Sequence, residues 1–124
     1  ALEIDPYSLD ANYNLANLYY RDKKFEEARK YYEKALSKNP ESIEARMAYS
    51  VSLEESGMID QAKLQYESVL QKDSRHKLAL ERLGFLYYRK LKDNVKAKAT
   101  LEKLLQVYPD HPDRQTILNI ISTL

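Results

Sequence analysis

Residues of like character recur along this 124-residue chain at a fixed step of 34: Ala28 and Ala62, Tyr32 and Tyr66, Leu36 and Leu70, Pro6 and Pro40. Tyr19, Leu53 and Tyr87 keep the step twice, as do Leu15, Tyr49 and Leu83. In the third unit the second half is one residue late, since Ala62 to Ala97 and Ser74 to Pro109 each span 35. The surplus residue is expected in the Leu91–Asn94 break, where a loop tolerates insertion. A chain with this period folds as copies of one supersecondary unit. No single copy can bury its apolar face, so neighbours must stack.

The unit is helical. Apolar residues return three and four apart, as in Leu15, Leu18, Tyr19 and in Ala28, Tyr31, Tyr32, Ala35, and no segment alternates with the period of a strand. Turn residues at Asp5-Pro6, Asn39-Pro40, Asp73-Ser74 and Tyr108-Pro109 separate the units. Breaks at 22–24, 56–57 and 92–94 divide each unit into two helices. The pattern predicts an all-α chain of about seven helices, near 8–21, 25–38, 42–56, 59–72, 76–90, 94–107 and 112–123. Ser8, Ser42 and Asp110 stand where a short polar side chain caps a helix N-terminus.

Composition removes several kinds of chemistry. With 20 basic and 19 acidic residues the net charge is +1, too little for a general attraction to phosphate backbones or an anionic membrane. The absence of cysteine excludes disulfides, thiolate metal ligands and thiol nucleophiles. Two glycines argue against a phosphate-cradling loop. No apolar run reaches the roughly 18 residues of a membrane span, and residues 1–15 hold neither a basic start nor an apolar signal core. The chain as given is expected to be soluble, with its compartment unread. His76 and His111 occupy equivalent turns about one repeat apart and read as solvated, too far apart to share a metal. Glu26-Glu27 and Glu54-Glu55 read as solubilising charge, and no nucleophile motif is present. No enzymatic activity, cofactor or metal is expected.

A helix–turn–helix of about 34 residues has the tetratricopeptide repeat (TPR) period, and the residues resemble that family. Its pattern reads here as Leu15-Ala16, Tyr19, Ala28, Tyr32, Ala35 and Pro40, then Tyr49-Ser50, Leu53, Gly57, Ala62, Tyr66, Val69 and Ser74. The third set is Leu80, Leu83-Gly84, Tyr87, Ala97, Leu101, Leu104 and Pro109. Asn12 and Arg46 depart from it where the family prefers a bulky apolar residue, Ser74 replaces its final Pro, and Leu104 stands for its small Ala. The resemblance implies an α-solenoid of antiparallel helix pairs, a right-handed superhelix, with repeats at 9–42, 43–76 and 77–111 in one domain. Tyr19, Tyr32, Tyr49, Tyr66 and Tyr87 are assigned to its packing ribbon. Residues 1–6 match 35–40 and read as the stub of a preceding repeat in a longer array. Residues 112–124 read as a closing helix, because Asn119 and Ser122 depart from the small and Tyr positions that would begin another repeat.

In the family the first helix of each repeat lines a concave groove from a fixed set of positions. Carried onto this sequence they are Asp10, Tyr13, Asn17, Tyr20 and Arg21; Glu44, Met47, Val51, Glu54 and Glu55; and Leu78, Glu81, Phe85, Tyr88 and Arg89. The resemblance implies a protein-interaction scaffold that holds a peptide or amphipathic helix of a partner. Tyr13, Tyr20, Met47, Val51, Leu78, Phe85 and Tyr88 would form the apolar lining, with Asn17 and Arg82 as polar anchors. A groove merely tolerated in water, or covered by curling ends, is the bland alternative. The clamp of co-chaperone TPR domains for acidic chaperone tails is disfavoured, since its positions read Tyr13, Asn17, Ala48, Leu78 and Arg82, without either lysine. Self-association through the Leu15–Tyr19 and Ala28–Tyr32 faces is a further reading. RNA is a weaker one, because Glu54 and Glu55 interrupt the basic turns at 21–24 and 89–92.

Overall fold

The computed structural model describes residues 9–124. The opening hexapeptide and Ser8 lie outside them. Seven helices follow in order among the described residues, with no strand: α1 (Leu9–Arg21), α2 (Phe25–Lys38), α3 (Ile43–Glu55), α4 (Ile59–Lys72), α5 (Lys77–Leu86), α6 (Asn94–Val107) and α7 (Arg114–Ser122). The end of α5 continues as a π-helical turn over Tyr87–Leu91.

That π turn is where the extra residue of the third unit goes. Each hairpin pivots on one left-handed residue: Lys23 (φ 60°), Gly57 (φ 86°) and Lys92 (φ 54°). The amide that follows closes onto the carbonyl of Tyr19, Leu53 or Tyr87: Lys24 at 2.8 Å, Met58 at 2.9 Å and Asp93 at 2.9 Å. From the accepting carbonyl to the pivot is four residues in the first two hairpins and five in the third. The insertion therefore widens the last helical turn of α5 and leaves the loop unchanged. The expected place, the Leu91–Asn94 loop, is one element too late.

Two of the three pivots carry a side chain where the backbone favours none. Left-handed geometry costs a non-glycine residue roughly 1–2 kcal/mol, and glycine's extra freedom in the unfolded chain returns about 0.5–1 kcal/mol of that. Lys92→Gly is therefore expected to stabilise by about 0.5–1 kcal/mol in urea unfolding. Gly57→Ala, with open space around its Cβ but φ at 86°, should move the other way. A neutral or destabilising Lys92→Gly would contradict this account of the turn.

The helix starts follow local chemistry. Ser42 accepts the Ala45 amide at 3.1 Å, as expected. His76, which stands 34 residues later, does the same work with Nδ1, accepting from Ala79 at 3.2 Å. Asp93 accepts from Lys96 at 3.1 Å. Asp110 is not a cap, because α7 begins only at Arg114. The His111 side chain instead takes the Asp113 amide, at 2.9 Å, in the turn before it.

The chain divides into two compact units within α4, one ending at Gln65 and the other running Tyr66–Leu124. In the first, α1 and α2 approach through Ala16 and Ala28, both fully buried, beside Tyr32 and Ala35. Leu53 and Ala45 of α3 and Ala62 of α4 complete this core. The two polar departures are accommodated there: Asn12 is buried, and Arg46 donates to Gln65 Oε1 at 2.6 Å and to the Pro40 carbonyl at 2.8 Å. In the second unit Leu80, Leu101, Leu104, Leu105 and Ile117 form one apolar cluster, with Ile117 of α7 fully buried in it. Gly84 of α5 sits against Leu101 of α6. A Cβ there would lie 2.7 Å from Leu101 Cδ2, so the close contact requires glycine.

Four of the five ribbon tyrosines are buried: Tyr32, Tyr49, Tyr66 and Tyr87. Tyr19 is only half-buried. Its equivalents Leu53 and Tyr87 each follow another described hairpin helix, whereas no described helix precedes α1. Its ring stacks on Tyr31, centroids 5.4 Å apart.

Candidate functional site

The first unit brings Tyr13, Asn17 and Tyr20 of α1 to one face, all half-buried. Their positions are three and four apart, which is one side of a helix. Tyr32, buried beneath them, donates its hydroxyl to Asn17 Oδ1 at 2.5 Å, and its ring lies 6.1 Å from that of Tyr13. Tyr20 meets Phe25 edge-on at 5.7 Å. On α3, Val51 is half-buried, while Met47 is buried with 6 % of its surface accessible. Met47 therefore serves the core more than any surface. The side chain of Asp10 lies outside the described ones.

The second unit carries its share on α5 and the π turn. Leu78 is 45 % accessible, and Arg82, Phe85 and Tyr88 are half-buried. Phe85 packs one side against the leucine cluster. The Arg89 guanidinium sits 4.7 Å from the Phe85 ring centroid, a cation–π contact that holds the charge beside an aromatic surface.

Burial shapes the ionisation of the tyrosines. The Tyr13 hydroxyl is raised above its ordinary pKa mainly by burial, with Asn17 opposing and the Glu44 carboxylate adding to the rise. Burial raises Tyr32 further, reinforced by Tyr13 and Tyr20. Tyr49 is pushed up to about 12, first by burial and then by donating to Glu33, at 3.0 Å. Tyr87 is raised by burial and by its hydrogen bond to Glu67. A phenol whose folded pKa exceeds its unfolded value of about 10 adds stability below that pH, and the contribution is lost as pH rises through the folded value. The melting temperature should therefore fall steeply between about pH 10 and 12. Tyr49→Phe should flatten that fall, and equal slopes in variant and parent would refute the assignment.

Sequence reasoning missed these Tyr–Glu pairs. Glu33 and Glu67 lie 34 apart, so the repeat step marks equivalent acceptors. Tyr49 and Tyr87 sit at different repeat positions, one helical turn apart, and that offset hid the pairing.

The expectation that both histidines are solvated fails for His111, which is 7 % accessible. Its Nε2 lies 2.6 Å from Glu81 Oε1, and Tyr108 packs edge-on at 5.2 Å. Glu81, His111 and Asp113 bring potential metal ligands within 4.8 Å of one another. The hydrogen bonding opposes that use. Nδ1 accepts the Asp113 amide, so in neutral imidazole the proton must sit on Nε2, where it is donated to Glu81. No lone pair remains for a cation.

An open cleft of about 600 Å³ lies in the first unit between the α1–α2 turn and the end of α3. Lys23, Lys24 and Arg29 line it together with Glu26, Glu27 and Glu55. Arg29 Nη1 lies 2.6 Å from Met58 Sδ. Its mixed charges select no one class of ligand.

The tetratricopeptide repeat family model matches residues 9–42, and a second tetratricopeptide repeat model matches residues 78–111. The chain belongs to the tetratricopeptide repeat family, and its fold is the TPR α-solenoid. No curated protein matches it in sequence. Among solved structures it is similar to the first TPR of Spaghetti (RPAP3) bound to the HSP90 peptide SRMEEVD, with TM-score 0.84, 18 % identity, and 99 % of this chain and 97 % of that one covered. It is also similar to the Yersinia enterocolitica type III secretion chaperone SycD in complex with a peptide of the translocator YopD, with TM-score 0.80, 15 % identity and coverage of 93 % and 90 %. YrrB, a TPR protein with an unusual peptide-binding site, shares 26 % identity at TM-score 0.79, over 94 % of this chain and 58 % of its own. The first two likenesses are of fold. No helix among the described residues is long and apolar enough to cross a membrane.

Proposed function

We propose that this chain is a non-enzymatic interaction scaffold that holds a peptide or amphipathic helical segment of another protein on the first helices of its repeats, at 9–42, 43–76 and 77–111, with 112–124 closing the array. The observation that carries this reading is the set of aromatic rings left partly in water: Tyr13 and Tyr20 in the first unit, Phe85 and Tyr88 in the second. Rigid rings with an apolar body are effective anchors for a partner. Asn17 and Val51 would add to the first set and Leu78 and Arg82 to the second, while Met47 is buried. The similar structures of Spaghetti and SycD are described with bound peptides, which supports the same mode here. Against catalysis, the shifted groups among the described residues are tyrosines moved away from neutral pH, and His111 and Glu81 satisfy each other.

Selection from a displayed peptide library tests the reading. Enriched peptides should bind the parent chain and lose at least about tenfold in affinity on a helical, folded variant carrying Tyr13→Gln, Phe85→Gln and Tyr88→Gln. Failure to enrich any peptide, or enrichment indifferent to the variant, would reject it.

A second reading is self-association through α1. Leu15 and Leu18 are 36 % and 52 % accessible, whereas Tyr49 and Leu83, the equivalents of Leu15, are 8 % and 2 % accessible. Sedimentation that shifts with concentration in the parent and not in Leu18→Glu would support it. A monomer at all concentrations would end it.

A further inference from the structure

The turn end of the α5–α6 hairpin departs from its two counterparts in charge. Residues 89–98 hold five cations, Arg89, Lys90, Lys92, Lys96 and Lys98, against one acid, Asp93. All five cations are exposed, and among the described residues no carboxylate pairs with any of their side chains. Asp93 is engaged at the start of α6, where it accepts the Lys96 amide at 3.1 Å. In the equivalent helices the first turn is acidic, with Glu26 and Glu27 in α2 and Asp60 in α4. Acids there offset the positive end of the helix dipole. Val95 and Lys96 take the places of Glu26 and Glu27, and α6 has no acid in its first turn. This hairpin therefore forgoes that stabilisation and gathers positive charge at one end. Val95, at 81 %, is the most accessible large apolar side chain among the described residues.

We propose that this end of the hairpin docks peripherally on a membrane surface rich in anionic lipid headgroups, with the cations at the headgroups and Val95 at the boundary with the acyl chains. The proposal is independent of the peptide-binding reading. A near-neutral chain has no long-range pull toward such a surface, but salt confines the attraction to about 8–10 Å, so the charge of the part that touches decides. Each Lys or Arg held near an anionic leaflet raises partitioning about fivefold, and an apolar residue among them adds a contribution that salt does not screen. Nucleic acid fits less well. Single strands are held by stacking bases on open aromatic faces, whereas Arg89 lies over the Phe85 ring at 4.7 Å and Lys96 over the Tyr87 ring at 5.8 Å. Asn94, Lys96, Lys98 and Ala99 around Val95 are themselves exposed, so Val95 projects from the hairpin rather than lining a pocket. A projecting apolar side chain ringed by cations suits a flat anionic surface better than a protein segment that needs pockets for its side chains.

The test is co-sedimentation of the whole chain with vesicles of phosphatidylcholine alone and with vesicles containing about one third phosphatidylserine. Partitioning onto the anionic vesicles should be at least about tenfold stronger and should fall toward the neutral value at high salt. Lys90→Glu with Lys98→Glu should lower it at least about tenfold while the far-UV helical signal is retained. Lys24→Glu with Lys30→Glu, exposed positions of the first unit with the same change of net charge, should leave it within about twofold. Val95→Glu restores the acid that Glu26 and Asp60 supply at the equivalent positions, so α6 should tolerate it. It should weaken binding severalfold and serves if the double variant does not fold. Equal partitioning onto the two vesicles, an equal loss from both double variants, or release of the bound chain by inorganic phosphate at unchanged ionic strength or by a single-stranded oligonucleotide would overturn the proposal.

Discussion

Leu101→Ala is expected to destabilise the second unit by about 2–5 kcal/mol, the range for truncating a fully buried leucine whose surroundings relax only in part. Leu101 has no accessible surface and sits in the cluster with Leu80, Leu104, Leu105 and Ile117. It is also the side chain against which Gly84 packs, its Cδ2 standing 2.7 Å from where a Cβ would be. Truncation therefore opens a void beside Gly84, between α5 and α6, where two helix backbones limit collapse. Pairing the change with Gly84→Ala supplies a direct control. Gly84→Ala alone should be destabilising through crowding, typically by about 1–3 kcal/mol. In the Leu101→Ala background the same methyl enters the void, so the double variant should be more stable than the sum of the two losses predicts. Chemical unfolding of the four proteins measures this coupling, and strict additivity would mean that the contact does not limit packing.

Tyr32→Ala is expected to cost the first unit about 3–5 kcal/mol, as for other large buried aromatic rings. Tyr32 is 1 % accessible, supports Tyr13 from beneath at 6.1 Å and holds Asn17 through its hydroxyl at 2.5 Å. Tyr32→Phe separates these contributions. It keeps the ring and removes the hydroxyl, leaving the Asn17 carbonyl without that donor, for a loss of about 1–2 kcal/mol. If Asn17 and Tyr13 contact a partner, Tyr32→Phe should also weaken binding in a chain that remains folded, since the polar edge of the surface loses its anchor. Equal stability of Tyr32→Phe and the parent would show that water replaces the bond at no cost.

Much of this architecture is legible from spacing. The apolar residues that recur at 34 fall inside α1 to α5 or, for Tyr87, at the start of the π turn, and the helix limits lie within a few residues of those read from the apolar period. The reason is local: a 3.6-residue period needs no knowledge of tertiary contacts, and a unit that cannot stand alone forces stacking. Positions that depend on neighbours were harder to read. Met47 sits on the same pattern as Val51 yet is buried. His111 looks like His76 in sequence, but one caps a helix while the other is enclosed by Glu81 and Tyr108. The π turn shows the same limit, because spacing counts the surplus residue without saying which hydrogen-bond register absorbs it.

The candidate surface divides along the same line. The family resemblance marks the positions on α1, α3 and α5, and the structure shows how much of each side chain remains accessible and what it already touches. His111 is the clearest case: its enclosure against Glu81 joins two helices' worth of sequence and is announced by no spacing along the chain.

By itself, then, the sequence determined the repeat, the helices and the positions that pack, because these follow from periodicity and from the apolar character of single residues. The tertiary structure decided which polar groups pair and which rings keep a wet edge, because hydrogen bonds such as Tyr49 to Glu33 and His111 to Glu81 join residues 16 and 30 apart, a separation that only packing can close.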